Sequence, residues 1–144
     1  MLVKNRLTNW DMFLKAYRWE LRYFRAKVSL FVDAQKFLIK TGESGYELEK
    51  ALKLRYEVVY REILNKRAFL NIDVDEFDFI SDHLIIIDKK SEEAVGTYRL
   101  ISSTFSERFY SETEFFIENL KRTADNKLEL GRACVHREHR NGVP

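Results

Sequence analysis

An almost uninterrupted apolar run, residues 83–88 (HLIIID), most constrains the fold of this chain of 144 residues. Such a run is typical of a strand that is covered on both faces or lies in the centre of a sheet. A charged turn follows it, and the next apolar run, residues 94–101 (AVGTYRLI), is predicted to be its hairpin partner. We therefore expect a sheet built around this hairpin.

Further strands and helices are predicted on both sides of the hairpin. The predicted strands comprise 31–32 with 36–41 as a first strand, then 83–88, 94–101 and 127–136. The predicted helices span 7–28, 46–64 and 111–120. This order indicates a layered α/β domain with a mixed, partly antiparallel sheet flanked by helices.

The helical periodicity also predicts which side chains face the core. The apolar positions in the second and third helices are Leu48, Leu52, Val59 and Ile63, and then Phe115, Phe116 and Leu120. Arg55 lies on or beside the core face of the second helix.

Residues 1–30 form a predicted basic amphipathic extension, with seven Lys and Arg against Asp11 and Glu20. Its apolar residues recur at intervals of three and four, which places them on one helix face. They are Leu7, Trp10, Leu14, Tyr17, Leu21, Phe24 and Val28. Such a helix packs on its own domain or on a partner helix, or it binds anionic lipid headgroups. A nucleic-acid partner is not expected, because no recognition motif accompanies the charge.

Cysteine content and apolar segment length indicate the compartment. The single cysteine, Cys134, excludes an internal disulfide and fits a reducing environment. No apolar core of a signal peptide follows Lys4 and Arg6, and no segment approaches the roughly 20 apolar residues of a membrane span. We expect a cytoplasmic protein, with peripheral attachment to a membrane as the alternative.

Charged residues stand where packing alone would favour apolar side chains. The acidic run Asp73, Asp75 and Asp78 fails the calcium-loop pattern, which needs glycine where Asp78 stands. It is either a solvated turn or a set of carboxylates that pair with Arg99 or Arg55 across a cleft. Arg99 lies inside an apolar strand, so we expect it at a sheet edge or satisfied by a carboxylate.

The closing strand (LELGRACV) carries Glu129 and Arg132, which strict alternation would send to opposite faces. Gly131 between them predicts a β-bulge, and one extra residue would bring both side chains to the same face. A bulge also frees a backbone N–H that can stabilise an oxyanion, and a nearby glutamate can take a proton from an amine. The alternative is a strand glutamate paired with an arginine for stability.

A basic turn follows this strand directly. Arg137, Arg140, Asn141 and Gly142 form a predicted phosphate-binding site, because backbone N–H groups at such a turn attract anions. His136 and His139 do not match a metal-site spacing, so no metal is expected.

The combined motifs resemble a known family. The runs LRYEVVYREI, DVDEFD, DHLIII, VGTYRLI, FYSETEF and LELGRACVHREHRNG occur in order within residues 37–142. They are similar to the hemolysin-like branch of the Gcn5-related N-acyltransferases (GNAT), which contains the ornithine-lipid-forming N-acyltransferases. They resemble the acyl-homoserine-lactone synthases more distantly.

The resemblance implies that an amine attacks an acyl thioester, usually a fatty acyl group on acyl carrier protein, and forms an amide. It implies that Glu129 is the general base, that the strand near Gly131 stabilises the oxyanion, and that residues 137–142 bind the phosphopantetheine phosphate. Four residues would shape the acceptor side, namely Arg55, Asp73, Asp75 and Asp78. Arg99 and Arg132 would join their ion-pair network.

The same resemblance sets expectations for domains and partners. Residues 31–144 would be the N-terminal part of a GNAT-like domain, truncated after the fourth strand, because the family continues with a helix and further strands. We expect no permanently bound cofactor, and acyl-phosphopantetheine on carrier protein or CoA as co-substrate. The partners would be acyl carrier protein, a small amine and the inner membrane face, contacted through residues 7–28.

Two other functions remain open from the sequence. One is a signal synthase of the acyl-homoserine-lactone type. The other is a truncated, non-catalytic domain that binds a membrane or a protein partner.

Overall fold

The computed structural model describes residues 9–140, which form a five-stranded antiparallel sheet flanked by helices. Its strands are β1 Phe31–Asp33, β2 Phe37–Thr41, β3 Asp82–Asp88, β4 Ala94–Ser102 and β5 Leu128–Val135. Each strand pairs with its neighbour in the chain, in the order β1-β2-β3-β4-β5. The predicted layered α/β fold is confirmed, and every described strand pair is antiparallel.

The helices are α1 Asn9–Tyr23, α2 Gly45–Arg55 and the short α3 Glu118–Lys121. A π-helix, Tyr56–Ile63, continues α2 without a break. Short 3-10 turns occur at Phe69–Asn71, Asp78–Ile80, Tyr110–Thr113 and Arg137–His139. None of the described helices is long and apolar enough to cross a lipid bilayer.

The hairpin of β3 and β4 lies in the centre of the sheet, as predicted. His83 pairs with Arg99 and Ile85 with Thr97, so these four side chains share one face of the sheet. All four are buried, whereas Tyr98 on the opposite face is 39% exposed. Since α2 packs on this hairpin, Arg99 is held beneath the helix layer.

The predicted first strand is in fact two strands, so the sheet has five strands rather than four. Phe31 pairs with Lys40, and the chain reverses between β1 and β2. The amide of Ala34 donates to the carbonyl of Phe37 at 2.9 Å and closes the turn. The polar residues between the two apolar runs form this turn.

Helix α1 packs against α2, which confirms one of the alternatives for the basic extension. Tyr17 and Phe24 are buried together with Leu48, Leu52 and Ile72. The predicted apolar face is correct at its centre but wrong at two positions, because Trp10 and Val28 are 59% and 46% exposed. Helix α1 ends at Tyr23, before Val28, and Leu7 lies outside the described residues.

A glycine allows the close approach of these helices. A Cβ atom on Gly45, the first residue of α2, would lie 1.9 Å from the carbonyl oxygen of Leu21. The preceding Ser44 caps α2 by accepting a hydrogen bond from the amide of Glu47.

The predicted second helix exists, but its core face changes along its length. Leu48 and Leu52 are fully buried, as expected. Beyond Arg55 the wider turns of the π-helix shift the angular positions of the side chains. Ile63 is consequently 66% exposed, and its predicted burial is wrong.

The predicted third helix is reduced to a 3-10 turn and the four-residue α3. Its expected anchors are wrong, since Phe115, Phe116 and Leu120 are 66%, 86% and 58% exposed. Phe109 is buried instead, and it packs with Phe77 and Ile101 of the core. The segment is therefore anchored at its start rather than along a helical face.

Candidate active site

Arg55 at the end of α2 forms the most buried ion pairs of the described residues. Its Nη1 and Nη2 donate to the carboxylate of Asp78 at 2.6 and 3.2 Å, and its Nε donates to Asp73 at 3.1 Å. The side chains of Arg55 and Asp78 are 1% and 0% exposed. Burial alone would lower the pKa of Arg55, but the two carboxylates hold this pKa above its ordinary value.

Two more arginines extend these pairs into a chain. Nη1 of Arg99 donates to Asp75 at 2.6 Å and to Asp78 at 3.2 Å, and Nη2 of Arg132 donates to Asp75 at 2.9 Å. Burial alone would raise the pKa of Asp75, but the hydrogen bonds from both arginines hold this pKa below its ordinary value. We call the six alternating side chains the Arg–Asp network: Asp73, Arg55, Asp78, Arg99, Asp75 and Arg132.

The network settles two questions that the sequence left open. The acidic run is not a solvated turn, because its three aspartates pair with arginines, and Arg99 is satisfied by carboxylates. No group of three His, Cys, Asp or Glu side chains within residues 9–140 is arranged to hold a metal ion.

The acidic loop is shaped by its own side chains. Asp78 accepts a hydrogen bond from the amide of Asp75 at 2.8 Å, and Asp75 accepts one from the amide of Phe77 at 2.9 Å. Aspartate commonly stabilises turns in this way. These bonds hold the carboxylates towards the arginines.

The aromatic ring of Tyr110, which the sequence did not single out, contacts two arginines of the Arg–Asp network. The centroid of Tyr110 lies 5.1 Å from the guanidinium carbon of Arg99 and 4.9 Å from that of Arg132. Both distances fit cation–π contacts. The available sequence signal was the aromatic pair in FYSETEF, but nothing in the sequence shows which cations it meets.

The predicted bulge is present in β5. Arg99 pairs with Gly131 and Thr97 with Cys134, so β5 has one more residue than β4 between these pairs. The residue in the left-handed conformation is Arg132, with φ 50°, rather than Gly131. A Cβ atom on Gly131 would have no neighbouring heavy atom within 4 Å.

The bulge brings Glu129 and Arg132 to the same face, as the sequence predicted. Glu129 pairs with Ile101, whose side chain shares the face of Arg99, and Arg132 reaches Asp75 on that face. Glu129 is partly exposed rather than buried. It accepts a hydrogen bond from the amide of Ser111 at 3.4 Å.

The carboxylate of Glu129 differs from those of the Arg–Asp network in its partners. No ion pair involving it occurs in the part of the chain that the structure describes, and Arg132 pairs with Asp75 instead. The structural Glu–Arg pair between these two residues is therefore not formed. Glu129 also borders a small cavity of about 90 Å³, beside Ser111 and Phe109.

The basic turn after β5 is only partly described. Arg140 donates from Nη1 and Nη2 to Glu62 at 2.7 and 2.8 Å, and from Nε to the carbonyl of Val135 at 2.7 Å. The hydrogen bonds from Arg140 hold the pKa of Glu62 below its ordinary value. Arg137 is exposed, and Asn141 and Gly142 lie outside the described residues.

Cys134 is a buried core residue, as the small size and apolar surroundings of its side chain suggest. It is buried in a cluster with Leu54 and Val58. Burial raises the pKa of its thiol to about 11, so the reactive thiolate is scarce at neutral pH.

Residues 54–143 match the family described as acetyltransferase (GNAT) domain. This match covers more than half of the chain and contains the whole Arg–Asp network together with Glu129. The chain belongs to the GNAT family. Helix α1 lies outside the matched GNAT region.

Curated GNAT relatives are similar over most of the chain. It is 34% identical to an L-ornithine N(alpha)-acyltransferase of Rhodobacter capsulatus, over 73% of this chain and 45% of that protein. It is 32% identical to the enzyme of that name from Brucella abortus, over 72% and 42% respectively. The chain thus spans less than half the length of these relatives. No solved structure matches it.

Proposed function

We propose that the site serves N-acyl transfer, in which a fatty acyl group moves from a thioester to the amine of a small amino-acid-type acceptor such as ornithine. The observation that carries this proposal is the carboxylate of Glu129, which has no ion pair among residues 9–140 and lies on the same face as the Arg–Asp network, three positions before Arg132 of the bulge. The names of the curated relatives support ornithine as the acceptor.

In this reaction Glu129 takes a proton from the acceptor ammonium, directly or through a water molecule. The amine nitrogen then attacks the thioester carbonyl carbon and forms the new C–N bond. The developing oxyanion is stabilised by backbone N–H groups at the bulged strand near Gly131. When the C–S bond breaks, the attacking nitrogen loses its second proton to the departing thiolate, which leaves as the free thiol, and Glu129 returns its proton to the solvent.

An amino-acid acceptor suits the opposite charges of Glu129 and Arg132 on one face of β5. Nε of Arg132 is buried and has no hydrogen-bond partner among residues 9–140. A guanidinium with an unused N–H donor fits a carboxylate. The acceptor carboxylate would therefore bind at Arg132, with its amine near Glu129.

The donor would bind through its phosphopantetheine arm, which acyl carrier protein and CoA share. The exposed Arg137, at the start of the turn after β5, supplies a cation for the phosphate. We propose acyl carrier protein as the donor and no permanently bound cofactor.

Helix α1 offers a surface for a membrane. Trp19 and Tyr23 are 59% and 56% exposed, and their rings lie 4.9 Å apart. Trp19 is about 200° around the helix from the buried Tyr17, so it points away from the protein. Lys15 and Arg22 are exposed on the same side. Aromatic and basic side chains together suit an anionic lipid surface, so we propose a peripheral position on the inner membrane face.

The test is release of free thiol from long-chain acyl carrier protein when ornithine is added. Glu129→Gln should lower turnover about 100-fold or more, the usual contribution of a general base. Glu107→Gln, at an exposed position, is the matched control. Equal turnover in Glu129→Gln and wild type, with unchanged circular dichroism, would contradict the catalytic role.

The acceptor is tested in the same assay. Ornithine should release thiol, whereas a methionine-derived amine should not. The opposite preference would favour the signal-synthase alternative.

A further inference from the structure

A second concave surface lies between the π-helix and the loop that follows it, outside the site described above. It is a pocket of about 380 Å³, which we call the basic pocket, lined by Tyr56, Arg61, Asn65, Lys66, Arg67 and Asn71. Half of these side chains are cations, and none of the described lining residues is acidic.

The three cations of the basic pocket have no ionic partner within the described part of the chain. Arg61, Lys66 and Arg67 are exposed, and none of them forms an ion pair there. Other exposed cations are paired, such as Arg108 with Glu76 and Arg140 with Glu62. Like charges held around one concavity repel each other and attract an anionic partner.

The backbone holds the basic pocket in a defined shape. The amide of Leu64 donates to the carbonyl of Val59 at 2.9 Å, and that of Lys66 donates to the carbonyl of Tyr60 at 2.7 Å. These bonds close the end of the π-helix and fix the start of the loop. Tyr56, only 1% exposed, forms the rigid inner wall.

The basic pocket continues towards the predicted phosphate turn. Arg61 also lines a neighbouring pocket of about 300 Å³, together with His136 and Arg137. Glu62 borders the same space, but its charge is paired with Arg140. The exposed carboxylate of Glu57 also lines this neighbouring pocket. The cations from Arg137 through Arg61 to Lys66 and Arg67 therefore form a row that one unpaired carboxylate among the described residues interrupts.

We infer that the basic pocket is the docking surface for the acidic face of an acyl carrier protein, whose phosphopantetheine phosphate then lies at Arg137. This inference rests on the proposed function and names the surface that the donor uses. Ile63 and Leu64 lie between Arg61 and Lys66 in the chain and are 66% and 46% exposed, so apolar side chains that a protein interface can cover accompany the cations.

A membrane suits the basic pocket less well than a protein. Among the described lining residues the one aromatic side chain, Tyr56, is buried, whereas aromatic residues at bilayer interfaces are exposed to the headgroups. The exposed aromatic side chains Trp19 and Tyr23 lie on α1 instead.

The test measures binding of holo acyl carrier protein to the chain by fluorescence anisotropy at low salt. The variant carries Arg61→Glu, Lys66→Glu and Arg67→Glu. Its matched control carries Lys36→Glu, Lys90→Glu and Arg122→Glu, an equal charge change at exposed positions elsewhere. We expect the pocket variant to bind at least about tenfold more weakly than wild type, and the control less than about twofold.

Three outcomes would overturn the docking surface. The first is equal weakening in both variants, which indicates non-specific charge attraction. The second is a pocket variant that loses binding to vesicles of phosphatidylglycerol and phosphatidylcholine but keeps its affinity for the carrier protein. The third is an equal loss of affinity for CoA, which assigns the pocket to the nucleotide.

The two proposals fail in different ways. Carrier protein binding needs neither an acceptor nor Glu129, so it is measured whether or not thiol is released. Turnover with acyl-CoA alone, together with equal carrier affinity in both variants, would reject the docking surface and retain N-acyl transfer.

Discussion

Two arginine–carboxylate pairs of the same geometry occur in very different surroundings. Arg55 binds Asp78 through Nη1 and Nη2 at 2.6 and 3.2 Å, and Arg140 binds Glu62 through the same atoms at 2.7 and 2.8 Å. The first pair is 1% and 0% exposed, whereas the second is 37% and 36% exposed.

Exposure to solvent therefore decides whether the arginine of each pair can exchange its carboxylate partner. Water and salt screen the exposed pair, so Arg140 can exchange Glu62 for another anion at little cost. Arg55 cannot, because a buried charge without its partner is strongly unfavourable. The Arg–Asp network is thus held in one arrangement, whereas the turn after β5 keeps an arginine that can change partner.

Breaking the buried pair of Arg55 and Asp78 should cause the largest loss of stability. Asp78→Asn should lower the free energy of unfolding by about 3–5 kcal/mol, because it leaves Arg55 and Arg99 buried with too little negative charge. Urea denaturation measures this change. Asp125→Asn, at an exposed position, is the control and should leave the midpoint unchanged. Equal midpoints for both variants would show that burial does not distinguish the pairs.

The stability of the fold should also depend on pH, because His83 is buried beside Arg55 and Asp78. Burial, with Arg55 and Arg99 nearby, lowers the pKa of His83 from 6.5 to about 4. The folded state binds fewer protons than the unfolded state between these values. Stability should therefore be full above pH 6.5 and fall as the pH approaches 4, by about 3 kcal/mol in total.

Replacing the histidine tests this origin of the pH dependence. Nε2 of His83 contacts the carbonyl oxygen of Asp78 at 2.8 Å, a bond that the neutral ring donates. His83→Gln should keep a polar group there and flatten the stability profile between pH 6.5 and 4. An unchanged slope in this variant would assign the pH dependence to other groups.

The side chain of Asp75 is 23% exposed, which lies between the exposure of the buried pair and that of the exposed pair. A variant at this position therefore tests whether stability follows burial. It accepts charge-assisted hydrogen bonds from Arg99 and Arg132, and it holds Arg132 at the bulge. Asp75→Asn should lower the free energy of unfolding by about 1.5–3 kcal/mol, less than Asp78→Asn. Urea denaturation of both variants ranks their free energies of unfolding. A larger loss for Asp75→Asn than for Asp78→Asn would contradict the role of burial.

Breaking the exposed pair of Arg140 and Glu62 should change the stability least. Glu62→Gln removes the partner of Arg140, but both groups already contact water. We expect a shift in the thermal midpoint close to the error of measurement at low salt, and none at high salt. A large shift that persists at high salt would mean that Arg140 is fixed rather than exchangeable.

The sequence predicts those parts of the fold that depend on local pattern. The central hairpin follows from its apolar runs, and the bulge in β5 follows from Gly131 between two charged residues. It also predicts that Arg99 needs a carboxylate, because an unpaired charge in an apolar strand is costly. These inferences depend only on neighbouring residues.

The remaining features depend on contacts between distant segments. Arg132 and Asp75 are 57 residues apart, and only the closed fold shows that they pair. The contact of Tyr110 with two arginines has the same origin. The predicted burial of Ile63 is wrong because the periodicity assumes regular α-helical turns, whereas Ile63 lies in a π-helix.

The contact between Gly45 and Leu21 offers a way to dissect the molecule. A single added methyl group at Gly45 would collide with a backbone oxygen of α1, and Leu21 could not turn aside as a flexible side chain could. No member of the Arg–Asp network belongs to α1. Gly45→Ala should therefore push α1 away from α2 and expose the core that Tyr17 and Phe24 cover, which makes the packing of the N-terminal helix adjustable by a single methyl group.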